Sequence, residues 1–354
     1  MRASHRGVIM RAAVLHAAKD LRVEEIDERP LADDEVRLRF AAGGICGSDL
    51  SYYFKGRVGD FDVRQPLVLG HEVSGEVAAV GPCVETLKPG DRVAVDPSRP
   101  CLTCDYCRMG RSNLCRNMRF FGSAAIYPHV QGAFSETFIA RADQCVKVPD
   151  SMSMRVAACA EPLAVSVHAC RRGGEIAGRK VLIAGAGPIG ILSALVMRRM
   201  GAAEIAITDL VEAPLAIARE AGVDETICVG TDPEKLTRYE ADKGYFDIAL
   251  EATGSPQALA SLFKVVRPGG RVIQVGMMPP GTIPVPANML MAREIDFVGA
   301  FRFHTEFKTA VDYLARGLID VSPILSAQMP MSDADAAFAM AADRNRAIKV
   351  HLTF

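Results

Sequence analysis

The sequence predicts an α/β plus β fold, a doubly wound parallel sheet joined to a mostly β lobe that forms a partly open barrel. Three observations predict it. From Met10 to about Val148 the chain reads as short alternating strands divided by Gly and Pro, among them Val36–Phe40, Val73–Val80 and Arg92–Val95. Beyond Pro149, continuous apolar strands alternate with helix-length periodic segments, the texture of a parallel sheet covered on both faces. With 354 residues the chain also exceeds one comfortable core, so two domains are expected.

Composition narrows the class. Residues are 49% hydrophobic, yet no apolar run approaches the length of about 18 that crosses a membrane. A formal net charge of −1 supplies no basic footprint, so neither nucleic acid nor an anionic membrane is expected as a partner. The N-terminus is basic but no apolar stretch follows it. Ten cysteines in such a chain point to thiol or metal chemistry rather than a disulfide framework, which makes the cytoplasm the expected compartment. The first strand pair is read from Met10, leaving Met1–Ile9 as an extension.

In the β half, Gly43–Tyr53 reads GGICGSDLSYY and offers a thiol at Cys46, with Ser48 and Asp49 just behind it. Leu69–Val73 reads LGHEV and offers the imidazole of His71 and the carboxylate of Glu72. A thiolate and an imidazole from separate segments, with one more oxygen or sulfur ligand, leave zinc an open fourth position where a substrate oxygen can bind. Taken singly, Cys46 is a small buried hydrophobe and His71 a structural hydrogen-bonder. Cys101, Cys104, Cys107 and Cys115 form a stronger local signal, spaced C-x2-C-x2-C-x7-C in a polar loop. Four such thiolates call for a tetrahedral ion, usually zinc, whose filled shell makes the site structural. An iron–sulfur cluster is the lesser alternative, and the charge balance disfavours a nucleic-acid ribbon.

In the second half, Met152–Arg171 is an Ala-rich helical stretch that sets Glu161 at the domain junction. Lys180–Ala184 is a buried strand followed at once by Gly185-Ala186-Gly187-Pro188-Ile189-Gly190 and a helix to about Met200. A lone GxGxxG is weak. This one follows a strand, opens a helix and precedes a second strand, Glu204–Thr208, that ends in Asp209. That is the context of the dinucleotide fingerprint, in which the glycines let the backbone approach a pyrophosphate at the helix N-terminus. Asp209 is placed to bond both ribose hydroxyls, and the next residues, Leu210 and Val211, supply no cation for a 2′-phosphate. NAD is therefore expected rather than NADP. Alternation continues through helix Ala213–Ala221, strands Thr226–Val229 and Phe246–Glu251, helix Pro256–Val265 and strand Arg271–Val275. Gly276 is expected near the nicotinamide, and Ile295–Phe303 is read as a strand carrying Arg302. The tail, about His304–Phe354, reads as helical with a final strand, folding back onto the β lobe.

GGICGSD, GHE, the four-cysteine loop, EPL and GAGPIG stand in the order found in zinc-containing medium-chain alcohol and polyol dehydrogenases, which the chain resembles from Met10 to Phe354. MRFFGSA, PHVQGAF and FRFHTEFKTAVDYLARG resemble the branch that oxidises the C5 hydroxyl of a sugar acid, with the sorbitol-oxidising branch the next likeness. The resemblance implies a GroES-like catalytic domain over 1–157 and 304–354 and a Rossmann NAD-binding domain over 158–303. It implies two zinc ions per chain. Cys46 and His71 would bind the catalytic one, with Glu161 third or through water and ranked above Glu72, an exchanging ligand. The four-cysteine loop would hold the other. Ser48 would take the substrate proton, and Tyr52 and Arg302 would line the pocket. Arg302 and Arg119 are candidates for a substrate carboxylate, with Lys55 and Arg57 behind them, and Phe121 is a candidate wall. One departure concerns Ser51, where relatives often carry a proton-passing His; serine has no comparable titration near neutral pH. The partner implied is a small-molecule sugar acid or polyol, and the assembly a homodimer or homotetramer. A non-catalytic protein that binds NAD and zinc would keep this fold without the reaction.

Overall fold

Alternation in the first half becomes antiparallel pairing. The structure, a computed structural model, describes residues 8–354. They fall into two units. One runs through Glu161 and adds Ala327–Ala342 and Lys349–Phe354; the other holds Pro162–Ser326 and Asp343–Ile348. The first strand, Val8–Ala17, begins slightly ahead of the expected Met10, and the remainder of the expected extension lies outside the described residues.

In the first unit, strands Cys145–Lys147, Arg92–Val95, Glu72–Val80, Glu35–Gly44 and Lys349–Thr353 are neighbours in that order. Val8–Ala17 pairs with Asp20–Glu28 in a second sheet. The register does most of the work of building the site. Gly44 stands opposite Glu72 on one side and His351 on the other, so Cys46, His71 and Lys349 each lie within two residues of one rung. Two glycines permit the tight packing beneath it. Gly70, at φ +94°, would carry a Cβ 2.2 Å from the buried ring of Phe134, and Gly43 one 2.7 Å from it. That ring packs edge-on against Phe40 at 6.2 Å.

The second unit is a parallel sheet in the order Glu225–Cys228, Glu204–Asp209, Lys180–Ala184, Phe246–Glu251, Val266–Gln274, Asp296–Gly299. In chain order this is 3-2-1-4-5-6, which reverses direction beside Lys180–Ala184 and opens a ligand crevice at the carboxyl ends of its strands. Leu182, Ala206, Ala249 and Val272 form its interior with Leu259, Leu262 and Phe263 of the Pro256–Val265 helix.

Two expectations change. The last strand stops at Gly299, because Arg302 adopts a left-handed φ of +53° and turns the chain. The return to the first unit comes at Ala327 rather than at residue 304. Buried Glu306 explains the delay. It takes Nδ1 of His168 at 3.3 Å and a guanidinium N–H of Arg171 at 3.1 Å, and these partners hold the Glu306–Ala315 helix within the second unit. No helix among the described residues is long and apolar enough to cross a membrane.

Candidate active site

Cys46 ends the Glu35–Gly44 strand's outgoing turn and caps the Gly47–Lys55 helix. His71 immediately precedes the Glu72–Val80 strand. The sulfur of Cys46, a ring nitrogen of His71 and a carboxylate oxygen of Glu72 all lie within 4.8 Å of one another. Asp49 ties the two segments together. Fully buried, it accepts N–H bonds from Cys46 at 3.0 Å and Gly70 at 3.2 Å, and its Oδ1 stands 3.6 Å from Nδ1 of His71. A carboxylate behind an imidazole is the arrangement that orients a metal-binding histidine.

The donor set fits a divalent cation. Loss of hydration and the neighbouring charge of Glu72 push the Cys46 thiol up to about 12, so a thiolate there needs a cation beside it. Nδ1 of His71 is buried without a hydrogen-bond partner among the described residues. Glu161, also buried, lies outside the group that shares a 4.8 Å span. Burial, reinforced by Glu72 and Cys46, raises its carboxyl well above the ordinary range. The geometry brings Glu72, not Glu161, to Cys46 and His71. Sequence reading missed the partner of Glu72 altogether. Lys349 places Nζ 2.8 and 2.7 Å from its two oxygens and also donates to the carbonyl of Ile45 at 3.2 Å.

Cys101, Cys104, Cys107 and Cys115 converge in the same unit, their sulfurs within 4.8 Å of one another. Ligands about 2.3 Å from a tetrahedral ion stand about 3.8 Å apart. The Cys101–Cys115 and Cys104–Cys115 sulfurs are 3.4 and 4.0 Å apart. Backbone N–H of Cys101 and Asn117 donate to the Cys115 sulfur at 3.2 and 3.3 Å. Backbone and hydroxyl donors at Thr103 lower Cys101 to about 5, whereas lost hydration and the Cys104 and Cys115 sulfurs raise Cys107 to about 12. Four sulfurs this close cannot all ionise unaided; a divalent cation removes the conflict.

In the second unit the three glycines of the turn meet three different demands. Gly185 turns at φ +102°, where a Cβ would strike Thr253 at 2.8 Å. A Cβ on Gly187 would meet nothing within 4 Å, which leaves an open cradle at the head of the Pro188–Arg199 helix. A Cβ on Gly190 would sit 1.8 Å from the carbonyl of Gly185, so the helix docks on the turn only without a side chain. These are the tight turn, the close approach and the helix packing of a pyrophosphate site. Ile189 is half-buried in the first turn of that helix. Gly276 stands against the neighbouring loop, its N–H bonded to the Glu251 carbonyl at 2.9 Å. Buried Asp209 accepts N–H bonds from Ala186 at 2.8 Å and Val211 at 3.0 Å. It also pairs with the guanidinium of Arg344, so the carboxylate expected to stand without a cation has one from 135 residues away.

Residues 32–150 match the family model described as alcohol dehydrogenase GroES-like domain, and residues 188–316 match that of zinc-binding dehydrogenase. The chain belongs to the zinc-binding alcohol dehydrogenase family. The dehydrogenase is 41% identical to L-idonate 5-dehydrogenase (NAD(P)(+)) of Escherichia coli K12, over 90% of this chain and 91% of that protein. The crystal structure of L-idonate 5-dehydrogenase from Escherichia coli superposes with a TM-score of 0.92 at 39% identity, covering 98% of this chain and 99% of that one. Sorbitol dehydrogenase of Bacillus subtilis is 36% identical over 96% of both proteins. A zinc-binding dehydrogenase of Sinorhizobium meliloti, solved bound to NADP, superposes with a TM-score of 0.89 at 26% identity, covering 98% and 100%.

The expected substrate contacts of this dehydrogenase divide. Ser48 donates to the Cys46 sulfur and so adjoins the cluster. Tyr52 is buried, its hydroxyl accepting the N–H of Ala124 at 3.0 Å. Phe120, not Phe121, faces His71, with ring centroids 5.5 Å apart. Arg119 and Phe121 instead line a cavity of about 530 Å³ with Arg99, Glu35 and Phe138, and none of Cys46, His71, Glu72 or Glu161 lines it. Arg119–Phe120 is a short strand, and alternate residues of a strand face opposite sides. Arg302, in the second unit, is half-buried over the ring of Phe301 at 4.9 Å. Lys55 is exposed, and Arg57 is engaged with the Gly59 carbonyl at 2.9 Å.

Proposed function

We propose that this chain is a zinc-dependent, NAD-linked dehydrogenase that reversibly oxidises the C5 hydroxyl of L-idonate to 5-ketogluconate. The convergence of Cys46, His71 and Glu72 carries the reading. Its substrate comes from the name of the Escherichia coli relative at 41% identity. A zinc ion there supplies Lewis acidity, which brings an alcohol proton within reach of neutral pH. Cys46, His71 and Glu72 would hold it, with Asp49 orienting His71 and Lys349 steadying Glu72. Ser48, beside the Cys46 sulfur, accepts the substrate proton and passes it toward water, because Ser51 offers no titrating group. Glu161, whose carboxyl burial raises well above the ordinary range, is near enough to the cluster to feel the charges of His71, Glu72 and Cys46. Gly185, Gly187 and Gly190 would seat the dinucleotide pyrophosphate, and Asp209 would meet the ribose.

The test compares turnover on L-idonate and sorbitol at equal concentration, with metal content measured alongside. Idonate is expected to win, with about two zinc ions per chain. A tenfold preference for sorbitol would move the assignment to the polyol branch. One zinc per chain with Cys46 open to thiol reagents would make this a non-catalytic binding protein. Glu72→Gln is expected to lower the metal content toward one ion while Glu161→Gln keeps two; the reverse would restore Glu161 as ligand.

The same reading includes self-association. Asp296–Gly299 is the edge strand of the parallel sheet, and its Phe297 is 39% exposed. An unprotected apolar edge is a pairing surface, and a second copy fits it. Light scattering should show a dimer or tetramer for the wild type and a smaller species for Phe297→Asp; equal masses would rule out this edge.

A further inference from the structure

We propose that Arg344 admits the 2′-phosphate of NADP, so that the site accepts both dinucleotides in spite of Asp209. The inference rests on the reading of the Gly185–Gly190 turn as a dinucleotide site. A bare carboxylate at the end of the second strand bonds the ribose hydroxyls of NAD and repels a phosphate at the 2′ position. Asp209 is not bare. Its side chain is 1% exposed and holds the N–H groups of Ala186 and Val211, while the Arg344 side chain paired with it is 46% exposed. The outward face of this position is therefore a guanidinium, permanently charged and carrying five N–H donors.

The placement of Arg344 is built into the second unit. The chain belongs to that unit for Asp343–Ile348 alone between two segments of the first. The Asp343 carbonyl accepts N–H bonds from Arg346 at 2.9 Å and Ala347 at 3.1 Å, and its side chain accepts that of Asn345 at 3.0 Å. Ile348 N–H donates to the Ser326 hydroxyl at 2.8 Å. The turn so formed presents Arg344 to Asp209. With NAD, the ribose hydroxyls share Asp209 with the guanidinium. With NADP, the phosphate takes the guanidinium through paired N–H donors, the geometry for which arginine is suited, and Asp209 becomes its rear counterion.

Binding to the zinc-loaded protein separates this from a fastening role for the pair. The chain has no tryptophan, so calorimetric titration with NAD and NADP is the direct readout. Arg344→Gln is expected to raise the ratio Kd(NADP)/Kd(NAD) at least about tenfold, mainly by weakening NADP, while Arg344→Lys keeps most NADP affinity. Asp209→Asn, which leaves Arg344 in place without the opposing charge, is expected to lower the ratio. A ratio within about twofold of wild type in Arg344→Gln overturns the proposal whatever Asp209→Asn does, because a mere fastener would weaken both dinucleotides alike. If the wild type binds neither dinucleotide, the reading of the site falls and this inference with it; if it binds both and the ratio does not move, only the inference fails.

Discussion

Replacing Cys46 by serine is expected to lower turnover on L-idonate at least about a thousandfold, with the fold and dinucleotide binding retained. Lewis-acid activation contributes several kcal/mol to such a reaction, and each 1.4 kcal/mol is about tenfold in rate. Cys46 is one of three side chains that share the cluster, so its loss removes a ligand whose thiolate is the softest donor present. Its backbone N–H still meets Asp49 and the Gly47–Lys55 helix keeps that contact, so the local structure has no reason to collapse. Circular dichroism, NAD titration calorimetry and steady-state rates on the same preparation check all three parts. A rate within about tenfold of wild type would remove Cys46 from the mechanism.

Lys349→Met is expected to destabilise the first unit by about 3–5 kcal/mol, the usual cost of removing one partner of a buried ion pair. Lys349 and Glu72 are 1% and 2% exposed, and both oxygens of Glu72 are bonded to the one ammonium. Burial alone would lower the Lys349 pKa, but Glu72 and Cys46 more than reverse that and hold it raised, so the ammonium stays charged. Without it Glu72 is a buried charge that has lost the ammonium bonded to both its oxygens. The double variant Lys349→Met, Glu72→Gln is expected to recover most of the loss, since the unpaired charge goes with the carboxylate. Urea denaturation of the two variants measures both effects. A loss below about 1 kcal/mol, typical of an exposed pair, would show that water or the metal already compensates Glu72.

These two residues also mark what could be read from the chain and what could not. Cys46 stands in GGICGSD, a short run whose residue types carry their own chemistry. The four cysteines of Cys101–Cys115 and the Gly185–Gly190 turn are legible for the same reason: their partners lie within a few residues. Lys349 is different. It reads as one of the alternating polar residues of the terminal strand, and its partner is 277 residues away. Asp209 and Arg344 are 135 apart, which is why the expectation of a ribose carboxylate without a cation was too simple. Phe120 and Phe121 show a finer limit. Both fit a pocket wall by type, but the fold turns Phe120 to His71 and Phe121 to the cavity it shares with Arg119. The placing of Glu72 rather than Glu161 beside Cys46 and His71 was out of reach likewise, because it depends on distance in the fold, not on residue type.

By itself, then, the sequence determined the two-part α/β and β architecture, the order of its strands, the four-thiol loop and the phosphate-binding turn, all of which depend on periodicity or spacing along the chain. Only the tertiary structure decided that Glu72 joins Cys46 and His71, that Lys349 neutralises Glu72, that residues 304–326 stay with the parallel sheet, and that Arg344 pairs with Asp209. Each of those is a pairing of charges or ligands across a fold, where burial sets the energy and sheet register sets the distance, and neither leaves a mark on neighbouring residues.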